Sequence, residues 1–353
     1  MSKYWKELIK NLEPYTPGEQ PQDKKYIKLN TNENPYPPSP KVIESIKQIA
    51  NESLRLYPDP NCVELRTAVA LYYNLKKEQV FVGNGSDEVL AFSFQTFFSS
   101  KKHILFPDIT YSFYPVYCNL FNIDYKLISL DDEFTVPLEK FLEDNGGIII
   151  PNPNAPTGRY LSIKFIEEIL KNNLDSVVII DEAYIDFGGE SAVGLIHEYP
   201  NLLVVQTFSK SRSLAGLRVG FALGHEDLIE GLNRIKNSFN SYTLDRIALA
   251  GSIQAIKDEA YFQETRLKII NTRERVSKRL NEIGFKVIDS KANFIFISHS
   301  LFHASMLFQK LREKGILVRY FNKPRIDNFL RVSIGTDDEM NSFLKVIEEI
   351  IQV

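Results

Sequence analysis

The sequence predicts an α/β fold in which a large domain with a mostly parallel sheet is followed by a smaller α+β domain. Between about residues 80 and 224, short apolar runs alternate with helical stretches. The runs are apolar at every position, which is typical of strands covered on both faces of a sheet. After a helical region around residues 225–280, strands and helices alternate again. The length of 353 residues is sufficient for two domains.

Four of the predicted strands in the large domain lead into a polar residue or a proline. They are residues 103–106, 148–150, 177–180 and 202–205. After Ser162, apolar residues spaced for one helix face predict a crossover helix between parallel strands. Because the carboxyl ends of parallel strands meet at one edge of a sheet, a binding site is expected there.

The chain begins with a proline-rich segment. Seven prolines lie between Pro14 and Pro40, which predicts an arm that has no core of its own and drapes over the body or reaches a partner subunit. Ser39 and Pro40 then predict a helix start. The predicted division is an arm over residues 1–35, a large domain over 36–240 and a small domain over 241–353. A capping box that begins at Thr336 predicts the last helix.

Composition is ordinary for a globular protein and argues against several function classes. The net charge is −3, which gives no indication of nucleic acid or an anionic membrane as a partner. The sequence has no long apolar run, so we expect neither a signal peptide nor a membrane span. Two cysteines, Cys62 and Cys118, predict no disulfide framework and fit a reducing cytoplasm. The five histidines are scattered, so no metal site is expected.

The ends of two predicted strands carry the most informative residues. One apolar run leads into Asp181 and, three residues later, Tyr184, and the next leads into a hydroxyl-rich loop that contains Lys210. Arg218 follows eight residues after that lysine. A lysine amine can attach to the aldehyde of pyridoxal phosphate (PLP), an acid can pair with its pyridinium nitrogen, and hydroxyls with an arginine can hold its phosphate. Residues 83–85 (Gly-Asn-Gly) before Ser86 are either a tight turn or a phosphate-binding helix start.

These motifs together resemble the PLP-dependent aminotransferases of fold type I. The resemblance runs nearly end to end and rests on the number and order of the matching segments, namely residues 11–15, 29–36, 57–60, 83–88, 151–158, 181–184 and 207–218. It implies a mostly parallel seven-stranded sheet flanked by helices in the PLP-binding domain, a smaller α+β domain, and a homodimer with a shared active site. It also implies ping-pong transfer of an amino group through PLP.

The resemblance implies roles for sixteen residues. Lys210 would bind the cofactor and move the α-proton, Asp181 would face the ring nitrogen, and Tyr184 would donate to the phenolic oxygen. The other implied cofactor contacts are Gly85, Ser86, Asp87, Tyr111, Asn154, Thr207, Ser209 and Arg218, with Tyr57 reaching the cofactor of the other subunit. The implied substrate contacts are Tyr15, Asn84, Arg319 and Arg331. For Tyr15 and Arg319, a packed aromatic and a surface salt bridge are equally good interpretations.

One position departs from the family pattern. The family has an asparagine directly before Pro-Thr-Gly, where it contacts the ring oxygen of the cofactor, and this chain has Ala155 there. An alanine side chain cannot form that hydrogen bond. Asn154 would replace it if the loop shifts, or else it only stabilises the turn.

The resemblance favours L-histidinol phosphate as amino donor and 2-oxoglutarate as acceptor, because the arm motif of residues 32–36 and Tyr15 match that group best. Transfer from aromatic amino acids and decarboxylation of threonine phosphate are alternatives on the same scaffold. A nucleotide-binding α/β protein without PLP is a further alternative, but residues 83–85 lack the third glycine of a dinucleotide motif and no Walker-type motif is present.

Overall fold

A computed structural model describes residues 2–352. The strands are β1 (Ile27–Lys28), β2 (Val80–Asn84), β3 (Ile104–Pro107), β4 (Tyr125–Ile128), β5 (Ile148–Pro151), β6 (Val178–Asp181), β7 (Leu202–Thr207), β8 (Val219–Gly224), β9 (Phe285–Ile288), β10 (Phe294–His299), β11 (Ile316–Leu317), β12 (Arg319–Tyr320) and β13 (Leu330–Ser333). The helices are α1 (Glu7–Asn11), α2 (Pro40–Ile49), α3 (Val63–Tyr73), α4 (Gly85–Phe97), α5 (Phe113–Phe121), α6 (Ile163–Lys171), α7 (Glu226–Phe239), α8 (Arg246–Lys257), α9 (Glu259–Glu282), α10 (Ala304–Glu313) and α11 (Asp337–Ile351).

The large domain is built on a seven-stranded sheet with the order β2-β8-β7-β6-β5-β3-β4. Strands β3 to β7 pair in parallel, and β8 runs antiparallel to both β2 and β7. Successive residues of β6 point to opposite faces: Val178 and Ile180 lie in one apolar core, and Ile179 lies in another. The sheet is therefore covered on both faces, which explains its uniformly apolar strands. The predicted mostly parallel sheet is confirmed.

The smaller domain has a four-stranded antiparallel sheet with the order β12-β13-β10-β9. Residues of α9, α10 and α11 pack with this sheet in a separate core. The arm is attached here, since β1 pairs in parallel with β11 and Leu29 is buried in the same core. Helix α8 packs mainly on α2 and α3 of the large domain although it follows residue 240. The division at residues 35 and 240 stays a prediction.

Side-chain caps fix the starts of several helices. The Ser39 hydroxyl accepts the N–H of Lys41 at the start of α2, and a capping box between Thr336 and Glu339 starts α11, so both predicted helix starts are confirmed. Within residues 2–352, no helix is both long and apolar enough to cross a membrane. The same residues contain no group of three histidine, cysteine or acidic side chains that could hold a metal ion.

Candidate active site

A cavity of about 340 Å³ lies where the carboxyl ends of β6 and β7, the arm and the small domain meet. Its volume is in the range of small-molecule sites. Twelve of the sixteen residues singled out in the sequence line it. They are Tyr15, Ser86, Asp87, Tyr111, Asp181, Tyr184, Thr207, Ser209, Lys210, Arg218, Arg319 and Arg331. The strand ends therefore meet in one site, as the parallel sheet requires.

Asp181 is the last residue of β6 and is only 5% exposed. One carboxylate oxygen, Oδ2, accepts the Tyr114 hydroxyl at 2.8 Å, and the other accepts the N–H of Ala183 at 3.3 Å. Burial raises the pKa of Asp181 to about 6, while these two hydrogen bonds act in the opposite direction. A buried carboxylate that lines a cavity suits a ligand with a positively charged N–H.

Lys210 lies in the loop after β7 and reaches back to the arm. Its Nζ donates to the carbonyl of Thr31 at 3.3 Å and lies 5.8 Å from the centre of the Tyr184 ring. The amide of Asn34 donates to the carbonyl oxygens of Lys210 and Ser211 at 3.0 and 3.2 Å. The arm thus fixes the backbone of this loop, while the amine remains at the cavity surface.

Tyr184 is held by Asn32. The Asn32 amide donates to the Tyr184 hydroxyl oxygen at 3.0 Å, and the backbone N–H of Asn32 donates to Ser333 at 2.8 Å. Asn32 has a φ of 56°, in the left-handed region where asparagine is tolerated better than most residues. Since Tyr184 receives a hydrogen bond from Asn32, its own proton is available to an acceptor in the cavity.

The third part of the cavity is the start of α4. This helix has no side-chain N-cap, so its first N–H groups and its positive dipole end favour an anion. Arg218 lies beside it, 3.1 Å from Asp87 and 3.5 Å from the Ser209 hydroxyl. Thr207 donates to Ser209 at 3.0 Å. Gly85 has a φ of 79°, in the left-handed region that favours glycine, and a Cβ there would lie 2.5 Å from the Arg218 guanidinium.

The opposite end of the cavity carries two arginines. Arg331, on β13, donates to the carbonyl of Asn30 at 3.1 Å, and its buried Nε has no hydrogen-bond partner among residues 2–352. Arg319 makes one long contact, 3.4 Å, with the carbonyl of Thr16. Over residues 2–352, neither guanidinium forms a salt bridge. Tyr15 completes this end and stacks on Phe113 with ring centres 4.7 Å apart. The arrangement favours an anionic ligand.

Four of the singled-out residues do not line the cavity. Gly85 is the first residue of α4, directly before the lining residues Ser86 and Asp87, and the amide of Asn84 donates to the carbonyl of Thr243 at 3.2 Å. The amide of Asn154 donates to Ile109 and to Thr157, each at 3.0 Å, whereas Ala155 faces the cavity. Tyr57 is 78% exposed and stacks on Tyr242. The roles predicted for these four residues, like those of the twelve that line the cavity, stay predictions.

Sequence reasoning missed the residues that hold the predicted ones in place. Tyr114 was hidden in an aromatic-rich segment, and its three-residue spacing from Tyr111 was the available signal. Asn32 and Asn34 stood inside a recognised motif, yet no side-chain role was assigned to either. Their partners, Ser333 and Lys210, are remote in sequence, so only the folded structure shows the contacts.

Comparison with known proteins agrees with this geometry. The family model for aminotransferase class I and II matches residues 24–347. The chain therefore belongs to the class I and II aminotransferases. It is 65% identical to the histidinol-phosphate aminotransferase of Clostridium acetobutylicum, over 99% of this chain and 100% of that protein. Identity to the enzyme of the same name from Clostridium botulinum (strain Langeland) is 62%, over 99% of both chains.

The fold is also found in a solved structure. The histidinol-phosphate aminotransferase of Sinorhizobium meliloti, solved in complex with pyridoxal-5'-phosphate, superposes with a TM-score of 0.90. The match covers 100% of this chain and 98% of that chain at 22% identity. At that identity the likeness concerns the fold, and it confirms the predicted fold-type-I architecture.

Proposed function

We propose that this protein transfers the amino group of L-histidinol phosphate to 2-oxoglutarate, giving imidazole acetol phosphate and L-glutamate in histidine biosynthesis. The observation that carries the proposal is one cavity with Lys210, Asp181 and an anion-binding helix start at one end and, at the other, two arginines that form no salt bridge within residues 2–352. The relatives at 62–65% identity carry the name of this reaction. The residues at both ends fit the chemistry that the name requires.

The cofactor end fits PLP. The phosphate would lie at the start of α4 against Ser86, Ser209 and Arg218, where N–H, hydroxyl and guanidinium donors converge. Asp181 would accept the ring N–H, and Lys210 would hold the aldehyde carbon. When bound, PLP stores the amino group between the two half-reactions and withdraws electrons from the donor α-carbon.

The protein's own residues would then orient the reactants and move one proton. Tyr184, whose hydroxyl oxygen accepts the Asn32 amide, would donate a hydrogen bond to the cofactor's phenolic oxygen. Tyr111 would cover one face of the ring and exclude water; its hydroxyl is fixed on Asp87 at 2.9 Å. Lys210, whose amine makes one hydrogen bond within residues 2–352, to the Thr31 carbonyl, would carry the proton at the α-carbon.

The substrate end would hold the anionic groups of both substrates in turn. Arg319, Arg331 and Tyr15 would bind the phosphate of the donor, and Arg331 would bind a carboxylate of the acceptor. A guanidinium presents a planar pair of donors to either group. Because one arginine serves two substrates, the same site can run both half-reactions.

The proposal is tested by adding PLP to the purified protein and assaying a panel of amino donors. We expect a yellow protein, a borohydride label at Lys210, and amino transfer from histidinol phosphate at the highest kcat/KM. Phenylalanine, tyrosine and threonine phosphate are the competing donors, with keto acid and CO₂ both measured. A colourless, unlabelled protein would refute the cofactor, and a faster competing donor would refute the substrate.

We also propose a homodimer that shares its active sites. Tyr57 is exposed and does not line the cavity of its own chain, and Arg246 fixes its loop by donating to the carbonyl oxygens of Leu56 and Tyr57 at 3.0 and 2.6 Å. Several exposed apolar side chains lie on the same segments: Leu54, Leu56, Val63, Phe239 and Tyr242. Mixing inactive Tyr57→Ala and Lys210→Ala subunits should restore activity, because one cavity of each hybrid is intact. No recovery after verified subunit exchange would exclude a shared site.

The proposed location is the cytoplasm. Cys62 and Cys118 are both buried and free. Burial raises the pKa of Cys62 to about 11 and that of Cys118 to about 12, so neither thiol is prone to oxidation. Cell fractionation with an assay of the purified fractions tests this location, and activity in the periplasm or culture medium would contradict it.

A further inference from the structure

Tyr114 lies in α5, directly beneath the carboxylate at the end of β6. Its side chain is 0% exposed, and its hydroxyl donates to Asp181 Oδ2 at 2.8 Å. The two residues are 67 positions apart in the chain. Tyr114 is not among the residues that line the cavity, so its hydroxyl would act on a ligand through Asp181.

Asp181 depends on this hydroxyl more than on its other partner. The only other donor to its carboxylate within residues 2–352 is the N–H of Ala183, at the longer distance of 3.3 Å. Burial and the negative charge of Asp87 both raise the pKa of Asp181, and the hydrogen bond from Tyr114 is the largest effect that lowers it. Loss of this bond would therefore favour a protonated, neutral Asp181 near neutral pH.

Tyr114 itself has little freedom to move. Its ring packs edge-to-face against Phe106 and Tyr111, with ring centres 5.8 and 5.7 Å apart. Phe94, on α4, packs on it with ring centres 6.3 Å apart. Since such contacts fix the plane of the ring, the hydroxyl is held at one position relative to β6. Tyr114 thereby links the carboxylate of Asp181 to Tyr111, which forms one wall of the cavity.

We propose that Tyr114 is a positioning residue that keeps Asp181 ionised and aimed into the cavity, so that the carboxylate can accept the ring N–H of PLP. The inference rests on the proposed function for the identity of the bound cofactor. The hydroxyl does not touch that cofactor. It limits the rotation of the carboxylate and supplies the charge-assisted hydrogen bond that offsets burial.

The test compares Tyr114→Phe with Tyr199→Phe. Tyr199 is a matched control, because it is also buried and its hydroxyl donates to a carboxylate, Glu167, at 3.0 Å, away from the cavity. Tyr114→Phe should weaken the affinity of the cofactor-free protein for PLP by about tenfold, as expected for a charge-assisted hydrogen bond. It should lower kcat for the donor half-reaction and leave the KM for the donor unchanged. Tyr199→Phe should change none of these quantities.

A double-mutant cycle separates positioning from a merely structural role. In an Asp181→Asn background the charge-assisted bond is absent, so Tyr114→Phe should weaken PLP binding by less than about twofold. An undiminished tenfold loss in that background would overturn the proposal. So would unchanged PLP affinity in the single variant, or a melting temperature of cofactor-free Tyr114→Phe far below that of Tyr199→Phe. If the unaltered protein binds no PLP, it is the proposed function that fails.

Discussion

The two ends of the cavity are built in different ways. The cofactor end comes from strand ends and one helix start of a single sheet, and its polar groups bind one another: Arg218 and Tyr111 both contact Asp87. The substrate end is assembled from the arm and the small domain, with Arg331 and Asn30 separated by 301 positions. There the arginines contact backbone carbonyls and form no salt bridge within residues 2–352.

The two ends therefore differ in how far their polar groups are hydrogen-bonded before a ligand binds. At the cofactor end, the side chains of Asp181, Asp87 and Arg218 are already hydrogen-bonded before any ligand arrives, so their geometry is preorganised. At the other end, the buried Nε of Arg331 has no hydrogen-bond partner in the described part of the chain, residues 2–352. An unpaired buried donor costs free energy, and an anionic ligand would relieve that cost. We expect changes at the cofactor end to affect kcat and PLP binding, and changes at the arginine end to affect KM.

The largest effect is expected at Lys210. Lys210→Ala removes the amine that binds the cofactor and moves the proton, so turnover should fall by at least about 10³-fold. The fold should persist, because the backbone contacts of this loop to Asn34 do not involve the side chain. Steady-state assays with Lys314→Ala, an exposed lysine, as control check this. Sustained multiple turnover by Lys210→Ala would remove the residue from the mechanism.

At the other end, Arg331→Met should raise the KM for anionic donors. The variant keeps the length of the side chain and loses the guanidinium, so kcat/KM should fall by about 100-fold, the scale for removing one partner of a buried charge pair. PLP affinity should stay unchanged, since the cofactor end is satisfied without Arg331. Arg275→Met removes a surface arginine that pairs with Asp337 and serves as control. If Arg331→Met weakens PLP binding by the same factor by which it raises KM, the two ends do not act separately.

A smaller effect is expected for Asp181→Asn, and it is measured as a change in the melting temperature. Its pKa in the folded protein is about 6 against a reference of 3.8, so folding is penalised as pH rises through this window and fully so above it. Cofactor-free Asp181→Asn should therefore melt about 2–4 °C higher than the unaltered protein at pH 7.5. The difference should shrink as pH falls toward 4.

The opposite sign is expected at Asp337, where hydrogen bonds from Arg275 and Thr272 lower the pKa. Its contribution is present above its reference pKa and is lost as pH falls through the lowered folded value. Asp337→Asn should thus reduce the melting temperature slightly at pH 7.5. A decrease for Asp181→Asn at that pH would show that the hydrogen bonds of its carboxylate outweigh the cost of burying the charge.

The same contrast explains what the sequence could predict. Asp181 and Lys210 were predictable because each comes directly at or after the end of an apolar run. Parallel strands bring such ends to the same edge of the sheet, independently of the conformation of the loops. Tyr114 was not, since a tyrosine in the segment Phe113–Phe121 has the signature of a core residue. Its role depends on the packing of α5 beneath β6, which no local pattern encodes.

The arm shows the same limit. Its prolines indicated a segment without a core, but β1 has only two residues and pairs with β11, so its strand character is set by tertiary contact alone. Asn32 likewise owes its position to Ser333 and to Asn293, which donates to its carbonyl oxygen at 2.9 Å. Local motifs therefore identified the catalytic candidates, whereas the groups that hold them required the folded chain.

The smallest effect concerns Ala155, which faces the cavity where the family has an asparagine. Ala155→Asn adds an amide that can reach the cofactor's ring oxygen, and Ala155→Leu adds similar volume without one. The Ala155→Asn variant should therefore bind PLP about threefold to tenfold more tightly than the Ala155→Leu variant, as expected for one hydrogen bond. The absorption maximum of its bound PLP should also be shifted. Asn154→Ala should lower stability and leave that spectrum unchanged, because the Asn154 amide is bound to Ile109 and Thr157. If Asn154→Ala alters the spectrum and Ala155→Asn does not, Asn154 makes the contact.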